Sequence, residues 1–147
     1  MLRALPPYLE NALSELTAER DGLLVIARGL GLHAVLQRLV QHHHRPEHVV
    51  FVLNTSREEE RQLLSCYTSN VAPGQVAPAV VTNECSVHER IELYLAGGVI
   101  LVTARILIVD LLCERVPVEE VTGVVVANAH RVTEGSNISF CMRILRQ

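Results

Sequence analysis

Val49-Val50-Phe51-Val52-Leu53-Asn54-Thr55-Ser56-Arg57-Glu58-Glu59 changes character halfway along. Its first five residues are apolar, mostly β-branched and uninterrupted by polar ones. A strand with one wet face alternates, so this run predicts a strand buried on both faces. Asn54-Thr55 then breaks the run, and Ser56 with Glu59 forms a capping box that opens a helix. Four further runs match the first half: Leu23–Ala27, Ala79–Val81, Val99–Val102 and Val124–Ala127. Helix-like segments lie between them. Pro6-Pro7 opens one that runs to about Arg20. After the turn Arg28-Gly29-Leu30-Gly31, apolar residues at 32, 35, 36, 39 and 40 follow helical spacing until Pro46 stops it. Ser86 and Glu89 make a second capping box, Arg105–Leu112 reads as helical, and a last helix is expected over Ser136–Gln147. Val71–Pro78 reads as an exposed loop. Strand and helix alternate throughout, which predicts an α/β sandwich around a mainly parallel sheet.

The 147 residues are one domain's worth, and 49% are apolar, enough for a real core. No apolar run reaches the roughly 20 residues that span a membrane, and no signal-peptide pattern opens the chain, so a soluble intracellular domain is expected. All 13 basic residues are arginine. The absent lysine excludes a phosphate-loop lysine, a Schiff base and a lysine general base. Asp21 and Asp110 are the only aspartates, which excludes a cluster of metal-binding aspartates. Aromatic residues make up 3% and tryptophan is absent, which weakens a base-stacking platform. A net charge of −3 gives no general attraction to nucleic acid, so any contact must be local. Cys66, Cys85, Cys113 and Cys141 form no C-x-x-C pair and are expected as reduced, mostly buried thiols.

Chemistry in an open α/β sheet gathers where strands end and loops begin. That edge is expected to carry Arg28 with the Gly29–Gly31 turn, Asn54-Thr55-Ser56, Thr82-Asn83-Glu84, Thr103-Ala104-Arg105 and Asn128-Ala129-His130-Arg131. A glycine turn leading into a helix can cradle phosphate. Here Leu32-His33 follows instead of a lysine and hydroxyl, so the glycines read as shaping a tight turn. His42-His43-His44 with His48 does not suit a metal: three consecutive residues cannot face one point, and Pro46 separates His44 from His48. A solvated helix end is expected there, and a solvated helix start at Glu58–Glu60. Asp110, His130 and Ser136 lack the G-x-S-x-G elbow of a hydrolase. Arg105, Arg131, Arg143 and Arg146 fall late in the chain, either as a phosphate patch or as scattered surface charge.

In order along the chain, these segments resemble degenerate motifs of superfamily 2 helicases. Gly22–Gly31, leading into Leu32 and His33, resembles motif I. Val52-Leu53-Asn54-Thr55 stands at motif Ia and Gly97–Leu107 at motif Ib. Gly123–Arg131 stands at the D-E-A-H box, with Ala127-Asn128 in place of its Asp-Glu and His130 in place of its His. With Val-Thr-Asn-Glu at 81–84, the set is similar to the N-terminal helicase-like domain of the XPF family of structure-specific DNA repair endonucleases. The resemblance implies a RecA-like three-layer sandwich, the first lobe of such a module, spanning residues 1–147, with its last strand and the nuclease region beyond them. It also implies a nuclear setting and no cofactor or metal, because phosphoryl transfer needs the missing lysine and acidic pair. Branched or damaged DNA would be contacted through Arg28, Thr55, Ser56, Thr103, Arg105 and Arg131. The implied partners are a smaller non-catalytic nuclease subunit, mainly through other regions, and repair scaffold and damage-recognition proteins. Two other readings stand beside this one: a purely structural protein-interaction domain, and a nucleotide-binding ATPase or helicase lobe. If the resemblance holds, Leu23–Ala27 lies at an open sheet edge, covered by the Pro6–Arg20 helix or by self-association.

Overall fold

The computed structural model describes residues 5–18, 21–70 and 77–146. Strands β1 (Val49–Leu53), β2 (Ala79–Val81), β3 (Gly98–Val102) and β4 (Val121–Val126) form one all-parallel sheet in the order β2-β3-β1-β4. Helices α1 (Pro7–Ala18), α2 (Leu32–His43), α3 (Arg57–Asn70), α4 (Val87–Ala96), α5 (Ala104–Leu112) and α6 (Asn137–Leu145) complete the described fold. No helix among the described residues is long and apolar enough to cross a membrane.

Every residue of β1 and β3 is buried, which explains why neither strand alternates in sequence. Successive side chains divide between the two faces. Val49, Phe51, Leu53, Ile100 and Val102 pack with Tyr94, Leu107, Leu111 and Cys141 of α4, α5 and α6. Val50, Val52, Val99 and Leu101 pack with Leu36, Val40, Leu63 and Tyr67 of α2 and α3. The sheet is thus the middle of three layers. Both capping boxes form, at Ser56–Glu59 and at Ser86–Glu89.

The stretch Leu23–Ala27 is the main departure from expectation: it is not a strand. Its residues join no ladder, and β4 holds the sheet edge instead. Leu24 and Ile26 pack on a small cluster of Leu5, Leu9 and Val35, between α1 and α2, while Leu23 and Val25 are 77% and 83% exposed. β-Branched composition gives a strand only where a neighbouring strand supplies hydrogen bonds and side-chain contact, and none of the described strands pairs with this run. The first helix does cover one side of it, as expected, through Leu9 and Leu13. That helix is described to Ala18, and Arg20 and most of the Val71–Pro78 loop lie outside the described residues.

Two smaller expectations change as well. All four cysteines are free, but only Cys141 is buried, and burial pushes its thiol up to about 11. Cys66 and Cys85 are half-buried, and Cys113, where α5 ends, is exposed. His44 is not a solvated helix end: its Nδ1 accepts a 3.1 Å hydrogen bond from the Val99 amide, with its ring against Gly98.

Candidate functional site

The carboxyl ends of β1 and β4 are laced together by two asparagines. Asn54 and Asn128 each take a left-handed backbone, φ 63° and φ 51°, which asparagine tolerates better than other side-chain-bearing residues. The Ala127 amide donates to the Leu53 carbonyl at 2.9 Å, extending the ladder by one step. Asn54 Nδ2 donates to the carbonyls of Ala127 at 2.9 Å and Asn128 at 3.1 Å. Asn128 Nδ2 donates back to the Asn54 carbonyl at 3.4 Å and to both Glu59 oxygens at 3.2 and 3.1 Å. Glu59 also accepts from the Ser56 amide at 2.7 Å. Partial burial pushes the Glu59 carboxyl up. Hydrogen bonds from Ser56 and Asn128, with His33 nearby, outweigh that and hold it below the usual glutamate range.

The glycine turn stands beside this cluster. Gly29 and Gly31 have φ of 85° and 89°, and a Cβ at Gly31 would come within 2.9 Å of Leu9 Cδ1. This is the tight turn expected, and it delivers Leu32, 45% exposed, and His33 where motif I would grip phosphate. His33 Nε2 lies 3.0 Å from Gln37 Nε2, and its buried Nδ1 has no hydrogen-bond partner. The ends of the strands at the motif Ia and motif II positions are therefore furnished with an ionised carboxylate and amides, with His33 of the motif I position near enough to Glu59 to lower it further.

The sequence-predicted DNA contacts divide into two groups. Thr55 Oγ1 donates to Glu60 Oε1 at 3.1 Å, and Ser56 Oγ accepts from the Glu59 amide at 3.2 Å. Both hydroxyls thus work within α3's first turn, next to carboxylates. Arg28, Arg105 and Arg131 are exposed and form no ion pair or side-chain hydrogen bond among the described residues. Thr103 is the exposed N-cap of α5 and makes no side-chain capping bond. In strand order, Thr103 and Arg105 lie beyond β3, on the other side of β1 from Asn128, His130 and Arg131 after β4. Arg143 donates to the Glu134 carbonyl at 2.9 Å, and the exposed Arg146 pairs with Asp21 at 3.3 Å.

Sequence reasoning missed the roles of three residues. Asn54 and Glu59 were visible only as a strand end and a capping box, since neither reveals a partner some 70 positions away. Asp110 is the third. It is fully buried on α5, where it accepts from Arg90 Nε at 2.8 Å and Nη2 at 3.1 Å, from the Tyr94 hydroxyl at 2.8 Å and from Arg115 Nη1 at 3.0 Å. Burial works against its charge, but these donors hold the carboxyl below the usual range, and burial beside Asp110 pushes Tyr94 up. This clamp ties α5 to α4 and so fixes the helix that presents Arg105. A role for Asp110 in a triad with His130 and Ser136 is excluded by these bonds. Ser136 instead caps α6.

No protein-family model matches the chain. Among curated relatives it is 38% identical to "DNA repair endonuclease XPF" of Cricetulus griseus, over 99% of this chain and 16% of that protein. It is 36% identical to the XPF endonuclease of Drosophila melanogaster, over 88% of this chain and 13% of that one. It is 31% identical to the DNA repair protein rad16 of Schizosaccharomyces pombe, over 95% of this chain and 16% of that one. The chain thus spans about a sixth of the length of such relatives. Among solved structures it resembles the Hef helicase domain of Pyrococcus furiosus, with a TM-score of 0.76 and 23% identity, over 95% of this chain and 29% of that one. That likeness fixes the fold as RecA-like, and the sequence matches assign the chain to the XPF family of DNA repair endonucleases, as its N-terminal helicase-like domain.

Proposed function

We propose that this chain is a helicase-like lobe without nucleotide chemistry, which positions branched or damaged DNA for a structure-specific repair endonuclease and docks its repair partners. The observation that carries the reading is the Asn54–Asn128–Glu59 network, in which the motif II position holds an amide bonded to a carboxylate rather than the acidic pair that an active lobe of the resembled family uses. With no lysine in the chain and Leu32-His33 after the glycine turn, the phosphate-gripping lysine and hydroxyl are missing, so the ATPase reading is the weaker one. The exposed Arg28, Arg105 and Arg131, unpaired among the described residues, and the open N-cap at Thr103 favour DNA contact over a purely structural role. Such contacts hold a phosphate backbone without reading bases. Thr55 and Ser56 serve this less directly, because Glu59 and Glu60 stand beside them. The nuclease activity, the smaller non-catalytic subunit, the scaffold and damage-recognition proteins and a nuclear setting belong to the same proposal, through the likeness to DNA repair endonucleases.

The test measures fork-DNA binding by the 147-residue chain at two salt concentrations, alongside calorimetry with Mg-ATP. Arg105→Ala should weaken binding about equally across sequences and lower the salt slope by about one. An unchanged affinity and slope would favour the purely structural reading. Micromolar Mg-ATP binding would favour the nucleotide-binding one.

A further inference from the structure

At the opposite pole, where β1 and β4 begin, the described surface holds a depression of about 230 Å³ lined by His42, His43, Arg45, His48 and Thr122. We infer that this depression is a phosphate-binding site, separate from the carboxyl edge, that takes a single phosphate group and strengthens as its histidines protonate.

Four of the five lining side chains carry or can carry positive charge, the fifth offers a hydroxyl, and none is a carboxylate. Their arrangement is built by the fold. α2 delivers His42 and His43 with rings edge to face at 4.9 Å. The loop that follows is pinned by the His48 amide on the Arg45 carbonyl and by the Gly98 amide on the His48 carbonyl, at 3.2 and 2.7 Å. Thr122 is the extra residue in the β4 register, since Val49 pairs with Val121 and Val50 with Gly123. A bulge of this kind re-aims a side chain, and here it brings the Thr122 hydroxyl to the depression. Among the described residues none of the four basic groups forms an ion pair, so the Arg45 charge stands without an ion-pair partner. Burial first, and then His42 and Arg45, hold His43 below the usual histidine range, so it gains its charge late as pH falls. A cleft lined by one sign of charge concentrates the opposite one.

The surrounding charges set the pH response. Glu47 lies on the same loop but does not line the depression. Glu119 and Glu120, just before β4, line a different depression of about 360 Å³ with Glu114. Near neutral pH Arg45 is the one permanent cation, and each histidine that protonates adds another. The carboxyl end of α2 favours protonated rings, and because the same partial negative charge opposes an anion, phosphate binding depends on those rings being charged. Bound phosphate and ring protonation therefore reinforce each other.

The experiment follows the histidine ring signals of the 147-residue chain by NMR, during titration with inorganic phosphate and with a short DNA duplex, at about pH 6 and about pH 8. The expected result is a shift of the His42, His43 and His48 rings at the lower pH. At the higher pH, affinity should be about tenfold weaker even though inorganic phosphate is then more highly charged. A response to inorganic phosphate identifies a site for free phosphate groups, and a response to the duplex alone identifies the nucleic-acid backbone as the source. Arg45→Gln with His48→Gln, or His42→Gln alone, should abolish the response while leaving the backbone spectrum otherwise intact. Arg105→Ala should leave the response unchanged, which separates this site from the proposed carboxyl-edge contact. Rings that respond to neither probe at the lower pH, or a response that survives in both variants, would overturn the site.

Discussion

Residues 23–27 and 49–53 are both wholly apolar runs of five residues, yet they have opposite fates. Val49–Leu53 is buried throughout, with β3 on one side and β4 on the other. Leu23-Leu24-Val25-Ile26-Ala27 has a helix on one side only, and its odd-numbered apolar residues face solvent. A short apolar run states that a segment can be a strand; a neighbour on each side makes it one. The difference teaches that burial in this molecule follows from strand pairing, and that energy is concentrated in β1 and β3.

The sharpest way to break that comparison is Phe51→Ala. Phe51 is fully buried, and its ring meets Tyr94 edge to face with centroids 5.8 Å apart. Truncation should cost about 3–5 kcal/mol, as a lower midpoint of urea unfolding with an unchanged slope. A cost near zero would mean that β1 is no more central than residues 23–27.

Next in size is the charged clamp on the Phe51 side of the sheet. Asp110→Asn removes the charge that Arg90, Tyr94 and Arg115 converge on, and should cost about 3 kcal/mol because two guanidiniums lose their shared partner. The pH dependence has a definite sign. The Asp110 carboxyl is held below its ordinary value of 3.8 in the folded chain, so its contribution is present above that value and is lost as pH falls through the folded one. The wild-type chain should lose this increment under acid, and the Asn variant should lack that part of the acid response.

A smaller effect is expected where the ends of β1 and β4 meet. Asn128→Ala removes donors to Glu59 and Asn54 and puts a Cβ-bearing residue without a polar handle at φ 51°. Asn128→Gly loses the same donors but accepts that backbone. Alanine should cost about 2 kcal/mol and glycine about 1, measured by thermal unfolding. Equal costs would show that the left-handed backbone contributes nothing.

These expectations show which features are legible in the chain itself. The buried strands were legible because β1 and β3 are apolar at every position, and the helix starts because Ser56 and Ser86 each have a glutamate three residues on. The absent lysine is likewise read from the chain directly, and the proposed loss of phosphate grip rests on it. Residues 23–27 were misread because composition carries no information about neighbours. Asn54, Glu59 and Asp110 were missed because each acquires its role from a partner distant in sequence, which the fold alone brings near. The cluster at His42–His48 was read as helix-end solvation because periodicity could not see the bulge at Thr122.

The smallest expected effect tests the comparison from its weak side. Leu23→Ser with Val25→Ser removes two large side chains that are mostly in water, so folding stability should change by no more than about 0.5 kcal/mol. Solution behaviour should change more than stability does. Leu23 and Val25 lie together on one side of a segment whose backbone pairs with no described strand, and an arrangement of that kind invites association. Light scattering of the wild-type chain should rise with concentration, and the double variant should scatter less. Amide hydrogen exchange gives the independent reading: Leu23–Ala27 should exchange near the open limit while Val50–Leu53 exchange only through global unfolding. Slow exchange across Leu23–Ala27 in a dilute monomer would place that run inside a sheet, and the contrast with β1 would collapse.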